Sequence, residues 1–194
     1  MVNYDINMSE YPLRSKHMAA DEVAAHRKKV REFIARAPFC RTSLGDKDLE
    51  LYCEALTHDS YCRGEAVNIP GLKAPESYER LEFLGDAVLE FIACEYVYLN
   101  SELREGKMTD FKQEIVRNKN ISDRVLSYGL DIDSAMLVSH GHRSGSKNLI
   151  EENMRADSFE ALIGATYILC GMDEARRIVR EVLIDQSVNT NESG

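Results

Sequence analysis

Long apolar runs are what this chain most plainly lacks. No stretch approaches the roughly 18 residues that a membrane span requires, and the N-terminus carries no signal-peptide pattern. The expectation is a cytoplasmic protein with no membrane partner. Paired cysteines are missing too. Cys40, Cys53, Cys62, Cys94 and Cys170 are odd in number and scattered, with no CxxC pair. That pattern argues against a zinc ribbon or a disulfide framework and for structural thiols. Strand-like alternation and internal repeats are absent at any useful length, which removes sandwich, barrel and solenoid architectures. Basic charge is short as well: 24 Lys and Arg stand against 33 Asp and Glu, a net charge of −9. This weighs against a nucleic-acid binder of the usual basic kind. Divalent cations held by some of the acids would cancel their charge locally and reduce that weight.

What remains is enough for one helical domain. The 194 residues suffice to bury a core, and 44% hydrophobic with 29% charged residues is ordinary for a globular protein. Residues 1–20 show no periodicity and read as a flexible N-terminal extension, with Met18 as an alternative start. Helices are expected over Asp21 to Arg36, Asp46 to His58, Tyr78 to Leu99, and from Met108 to Tyr128 before Gly129. Two more are expected over Asn153 to Leu169 and Asp173 to Ile184. Loops are expected over Tyr61 to Ser77 and residues 131–152, and residues 186–194 read as a frayed tail. The fold class is all-α, with the domain spanning residues 21–185.

The most informative stretch is Glu79-Arg-Leu-Glu82-Phe-Leu-Gly-Asp86. At about 100° per residue, Glu79, Glu82 and Asp86 fall within one sector of about 60°. Leu81, Leu84, Val88 and Ile92 take the opposite side, toward a core. Like charges stacked on one helix face repel, and a cation held between them removes the repulsion. A second acidic pair, Asp157 and Glu160, shares a helix face by i, i+3 spacing, beside Ala161 and Gly164. Glycine inside a helix costs about 1 kcal/mol relative to alanine, so Gly164 points to a close helix approach. The five acids would form an oxygen-only ligand set, which Mg²⁺ or Mn²⁺ prefers. Such an ion suits in-line phosphoryl displacement by water. Spacing alone leaves solvated surface acids as an equal alternative.

The literal residues carry more than their spacing. Glu79-Arg-Leu-Glu-Phe-Leu-Gly-Asp-Ala-Val-Leu89 resembles the signature motif of the ribonuclease III family, and Ala156-Asp-Ser-Phe-Glu-Ala-Leu-Ile-Gly-Ala165 resembles its second acidic motif. Leu56-Thr-His-Asp-Ser-Tyr61, Glu105-Gly-Lys-Met-Thr109 and Val116-Arg-Asn-Lys-Asn120 match blocks around them, in order, from about residue 25 to 184. The resemblance implies a metal-dependent, homodimeric endonuclease domain acting on double-stranded RNA with Mg²⁺, for which Mn²⁺ can substitute. Implied products carry 5′-phosphates, 3′-hydroxyls and two-nucleotide 3′ overhangs.

By the same resemblance Glu82, Asp86, Asp157 and Glu160 surround the metal, with Asp86, Glu160 and Glu79 counted as catalytic and Glu79 at the rim. Glu105 matches an acidic position linked to a second metal, and Phe83 one that crosses the dimer interface. Tyr78 stands where asparagine is common before the signature, and Arg155 replaces an apolar residue. Arg155 is expected to be solvated, or else near a phosphate. Few residues follow Ile184, so the expectation is a domain that grips RNA without a separate RNA-binding domain. Lys107, Lys112, Arg117, Lys119, Arg143 and Lys147 are the candidate grips, with Arg104 beside them. The competing reading is a catalytically inactive relative with an RNA-binding or ribosome-associated role, which would have lost acidic ligands. A His58-Asp59 metal pair of a phosphohydrolase is a further, weaker alternative.

Overall fold

The structure is a computed structural model and describes residues 15–64, 76–139 and 150–185. Helix α1 spans Ser15–Ile34, α2 Asp46–Ala55, α3 Asp59–Gly64, α4 Glu79–Asn100, α5 Glu105–Val116 and α6 Asn118–Tyr128. The short α7 covers Ile132–Ala135, α8 Glu152–Cys170 and α9 Met172–Val179, which continues as a π-helical turn over Arg180–Ile184. Among the described residues no strand forms. A single bridged pair, Thr57 and Leu137, ties the corner between α2 and α3 to the segment after α7. The all-α expectation holds.

Helix α8 is the axis of the domain. From Met154 to Thr166 every residue but Asp157 is buried, the pattern of a helix enclosed on all sides. Helix α4 packs most extensively on it, and α2, α6 and α9 cover its other faces. The apolar stripe foreseen on α4 is inside: Leu81, Val88 and Ile92 are buried, and Leu84 is partly so. Gly129, at φ 82°, ends α6 in the left-handed conformation that glycine adopts without a steric penalty. The amides of Gly129 and Leu130 then take up the carbonyls of Leu126 and Val125.

Several boundaries differ from expectation. Helix α1 begins at Ser15, because Met18-Ala19-Ala20 are strong helix formers; the rest of the expected extension, residues 1–14, lies outside the described residues, as does the tail 186–194. The expected helix through Asp46 to His58 stops at Ala55, where Thr57 turns its hydroxyl onto the Cys53 carbonyl at 2.7 Å. Part of the expected loop from Tyr61 is helical, as α3. The single helix expected to reach Tyr128 is two, broken at Arg117, which is extended at φ −67° and ψ 131°. Asn120 caps that break by donating to the Ile115 carbonyl at 3.0 Å, the local side-chain competition that disfavours asparagine inside helices.

Candidate metal centre

Two glycines decide how closely the acidic helices meet. A Cβ on Gly85 would lie 1.8 Å from the Glu160 carbonyl oxygen, and one on Gly164 would lie 2.4 Å from that of Leu81. The backbones of α4 and α8 therefore touch where each carries its acids. Carboxylate oxygens of Glu82, Asp157 and Glu160 come within 4.8 Å of one another. Asp86 and Glu79 join Glu82 and Glu160 in lining an open cavity of about 560 Å³, shared with Phe83, Val116 and Asn118.

Glu160 is only 6% exposed although it bears an acid. Burial raises its pKa to about 8, and the charges of Asp86, Asp157 and Glu82 add to the rise. Glu82 is raised to about 7, first by burial and then by Asp157, Glu79 and Asp86. Asp157 is raised by burial, with the nearby Tyr78 hydroxyl favouring its charged form. No cation among the described residues offsets the repulsion on Glu82 and Glu160. Buried acids without a partner are expensive. An oxygen-only set of this kind, short of positive charge, fits a hard divalent ion such as Mg²⁺ or Mn²⁺.

Residues 48–187 match the family model described as Ribonuclease-III-like. This chain belongs to the ribonuclease III family. Its similarity to curated members is moderate. It is 31% identical over 144 residues to Ribonuclease 3 of Aster yellows witches'-broom phytoplasma (strain AYWB), covering 74% of this chain and 56% of that protein. It is 37% identical over 134 residues to Ribonuclease 3 of Pseudomonas fluorescens (strain Pf0-1), covering 69% and 52%. The chain thus spans little more than half the length of these relatives. Among solved structures, it resembles a nuclease domain of ribonuclease III from Campylobacter jejuni, described in terms of flexibility in its dimer-forming region. The TM-score is 0.62 at 26% identity, covering 82% of this chain and 96% of that one.

The sites anticipated for this ribonuclease III-family domain divide into three groups. Glu79, Glu82, Asp86, Asp157 and Glu160 come together on α4 and α8, and Phe83 stands beside them at 82% exposure. Glu105 does not join them; it sits exposed at the start of α5, where it accepts a hydrogen bond from Thr109 at 3.4 Å. Four of the described basic candidates are paired with acids: Lys107 with Asp110 at 3.0 Å, Lys112 with Glu90, Arg117 with Glu114 at 2.6 Å and Lys119 with Asp123 at 2.7 Å; Arg104 is exposed just before α5. Arg143 and Lys147 lie outside the described residues.

Arg155 is corrected outright. It is buried, and its guanidinium donates to both Asp133 oxygens at 2.7 and 2.6 Å and to Ser122 Oγ at 2.7 Å. It bolts α8 to α6 and α7 and has no access to a phosphate. His58 is taken up locally, with Nδ1 2.8 Å from Ser60 Oγ, and Asp59 pairs with Arg63 at 2.8 Å. Two residues at the centre escaped the site expectations: Tyr78, whose buried phenol lies close enough to feel the Asp157 charge, and Asn118, whose Nδ2 is 3.4 Å from Asp157 Oδ1. Asp157 lies 79 and 39 positions away from them in sequence, so no local pattern marks them.

Proposed function

We propose that this domain is a divalent-metal-dependent endoribonuclease that hydrolyses phosphodiester bonds of double-stranded RNA. Its products would carry 5′-phosphates and 3′-hydroxyls with two-nucleotide 3′ overhangs, as in cytoplasmic RNA processing such as that of ribosomal precursors. The reading rests on one observation above all: Glu82, Asp157 and Glu160 converge within 4.8 Å beside an open cavity. Glu82, Asp86, Asp157 and Glu160 would hold Mg²⁺, or Mn²⁺ in its place. The bound ion would lower the pKa of water and offset charge on the attacking and leaving oxygens of an in-line displacement. Glu82 and Glu160 would hold the ion as carboxylates, giving up the protons that burial favours, and Asp86, one turn further along α4, would complete the ligand set. Glu79, at the rim and steadied by Ser77 Oγ at 3.2 Å, faces the approaching backbone. None of the five acids has been lost, which separates this chain from an inactive relative.

The same reading makes the domain a homodimer. Phe83, Ala87, Phe91, Cys94 and Tyr98 are all exposed and recur at spacings of four, four, three and four along α4. An apolar stripe of that length on a monomer is the usual mark of a protein partner. A second copy covering it would place two acidic centres in one assembly, one for each RNA strand.

The test is cleavage of long double-stranded against single-stranded RNA, with Mg²⁺ and with EDTA, at low salt. Duplex should be cut only with metal, leaving 3′-hydroxyl ends. Intact duplex in Mg²⁺ and in Mn²⁺ would sink the proposal. Sedimentation at micromolar concentration should give twice 22.0 kDa; a monomer there contradicts the role of the Phe83 stripe.

A further inference from the structure

We propose that two copies of this chain join α4 to α4 in antiparallel fashion, with Arg80 of each paired to Glu102 of the partner subunit. The proposal rests on the homodimer reading above and adds to it a register and a charge contact. Arg80 is exposed and lies in line with the apolar stripe of α4. At about 100° per residue, Arg80, Phe83, Ala87, Phe91, Cys94 and Tyr98 share one sector of about 80°. The cation therefore extends the stripe at its N-terminal end instead of turning toward the acids.

Two charges that border the stripe are already matched within the protomer. Glu90 is engaged by Lys112 of α5, and Glu95 by Arg176 of α9 at 2.6 Å. Arg80 and Glu102 differ: among the described residues neither has a hydrogen bond or an ion pair. Glu102 is exposed just past the end of α4. Before it, Ser101 is extended at φ −143° and ψ 154° and donates its hydroxyl to the Val97 carbonyl at 2.8 Å. That bond fixes where the chain leaves the helix, and so where Glu102 stands.

A two-fold interface is self-complementary: if residue i meets residue j, then j meets i. Along antiparallel helices the numbers of facing residues then add to a constant. The stripe obeys this with a constant of about 181. Phe83 meets the partner's Tyr98, Ala87 meets the partner's Cys94, and Phe91 meets its own copy. The small Ala87 and Cys94 leave gaps between the aromatic positions, as ridge-and-groove packing of helices requires. The same register sets Arg80 opposite residues 101–102. A parallel pairing would instead set Arg80 against its own copy and align the two helix dipoles. The antiparallel one opposes the dipoles and brings opposite charges together.

Sedimentation equilibrium at low salt tests the pair on wild type, Arg80→Glu, Glu102→Arg and the double exchange. Both side chains are exposed, so the reversals leave the core untouched. Each single reversal sets like charges face to face at two symmetric places and should weaken dimerisation about 10-fold or more. The double exchange restores opposite charges and should return to within about threefold of wild type. Added salt should narrow the gap between the single variants and wild type. Wild-type dimerisation by Arg80→Glu, or a double exchange no tighter than the singles, overturns the pair. The register has its own readout in disulfide cross-linking with copper phenanthroline. Ala87→Cys, facing the native Cys94 of the partner subunit, should give a covalent dimer, and Ala87→Cys with Cys94→Ser should not. No cross-link in the first, or equal cross-linking in both, overturns the antiparallel register. A monomeric wild type removes the homodimer reading and this proposal with it; a wild-type dimer with uncoupled variants removes this proposal alone.

Discussion

Helix α8 carries two buried charges five residues apart, and they are provided for in opposite ways. Arg155 finds everything it needs inside the chain: both oxygens of Asp133, the Ser122 hydroxyl and the Ile150 carbonyl at 3.4 Å. Glu160 meets Asp86, Asp157 and Glu82, all of its own sign. A buried charge complete within the fold is architecture. One surrounded by like charge and facing a cavity is completed from outside. Burial alone does not separate these cases, since the two residues are 8% and 6% exposed; the sign of the neighbours does.

The strongest way to break the comparison is to neutralise Glu160. Glu160→Gln should reduce duplex cleavage on the order of 10³-fold, the scale for losing a group that stabilises transition-state charge. Metal-free Glu160→Gln should melt no lower than wild type at pH 8, since the unpaired charge is gone. Residual cleavage near the wild-type rate would contradict the assignment of Glu160.

Arg155→Met should do the reverse. Breaking a buried pair from one side costs about 3–5 kcal/mol because Asp133 is left uncompensated, a drop of roughly 6–20 °C in Tm for a domain of this size. Arg155→Met with Asp133→Leu should recover part of that loss. Calorimetry on both variants checks it; an unchanged Tm for Arg155→Met would show the ion pair to be idle.

Acidity provides the smallest and most graded test. In the folded, metal-free protein Glu160 titrates at about 8 and Glu82 at about 7, against 4.5 for an ordinary glutamate. Between those limits the folded state holds protons that the unfolded state has released. Metal-free stability must then fall as pH rises from about 4.5 to about 8, and level off above. Mn²⁺ should abolish the fall and release protons on binding near pH 6–7. A metal-free Tm that rises from pH 6 to pH 8 would remove the shifted acids from consideration.

How much of this was legible in the sequence varies with how far each interaction reaches. The acids at 79, 82 and 86 share a face because helix periodicity is local, and the Asp157–Glu160 pair follows for the same reason. Gly164 could be read as a close approach because glycine is costly inside a helix. Arg155 could not be placed, because its partners are 22 and 33 residues away and a lone arginine usually reads as solvated. The break at Arg117 was hidden because its cause is a hydrogen bond from Asn120 back to Ile115, made only once α5 ends. Lys112 and its neighbours looked free to meet phosphate for a similar reason: Glu90, which engages Lys112, belongs to another helix.

The Gly85–Gly164 crossing has a consequence for how this protein can change over generations. One added methyl on Gly85 meets the main chain of α8, and one on Gly164 meets that of α4; no flexible side chain stands there to move aside. A compensating substitution on the facing helix cannot make room, since the atoms in the way are main-chain atoms of Glu160 and Leu81 that any residue would carry. Mutational paths through either position are therefore closed singly and in combination unless the helices part, and parted helices no longer bring their acids together. The crossing works as a ratchet, holding chemistry in place through two residues that carry no chemistry of their own.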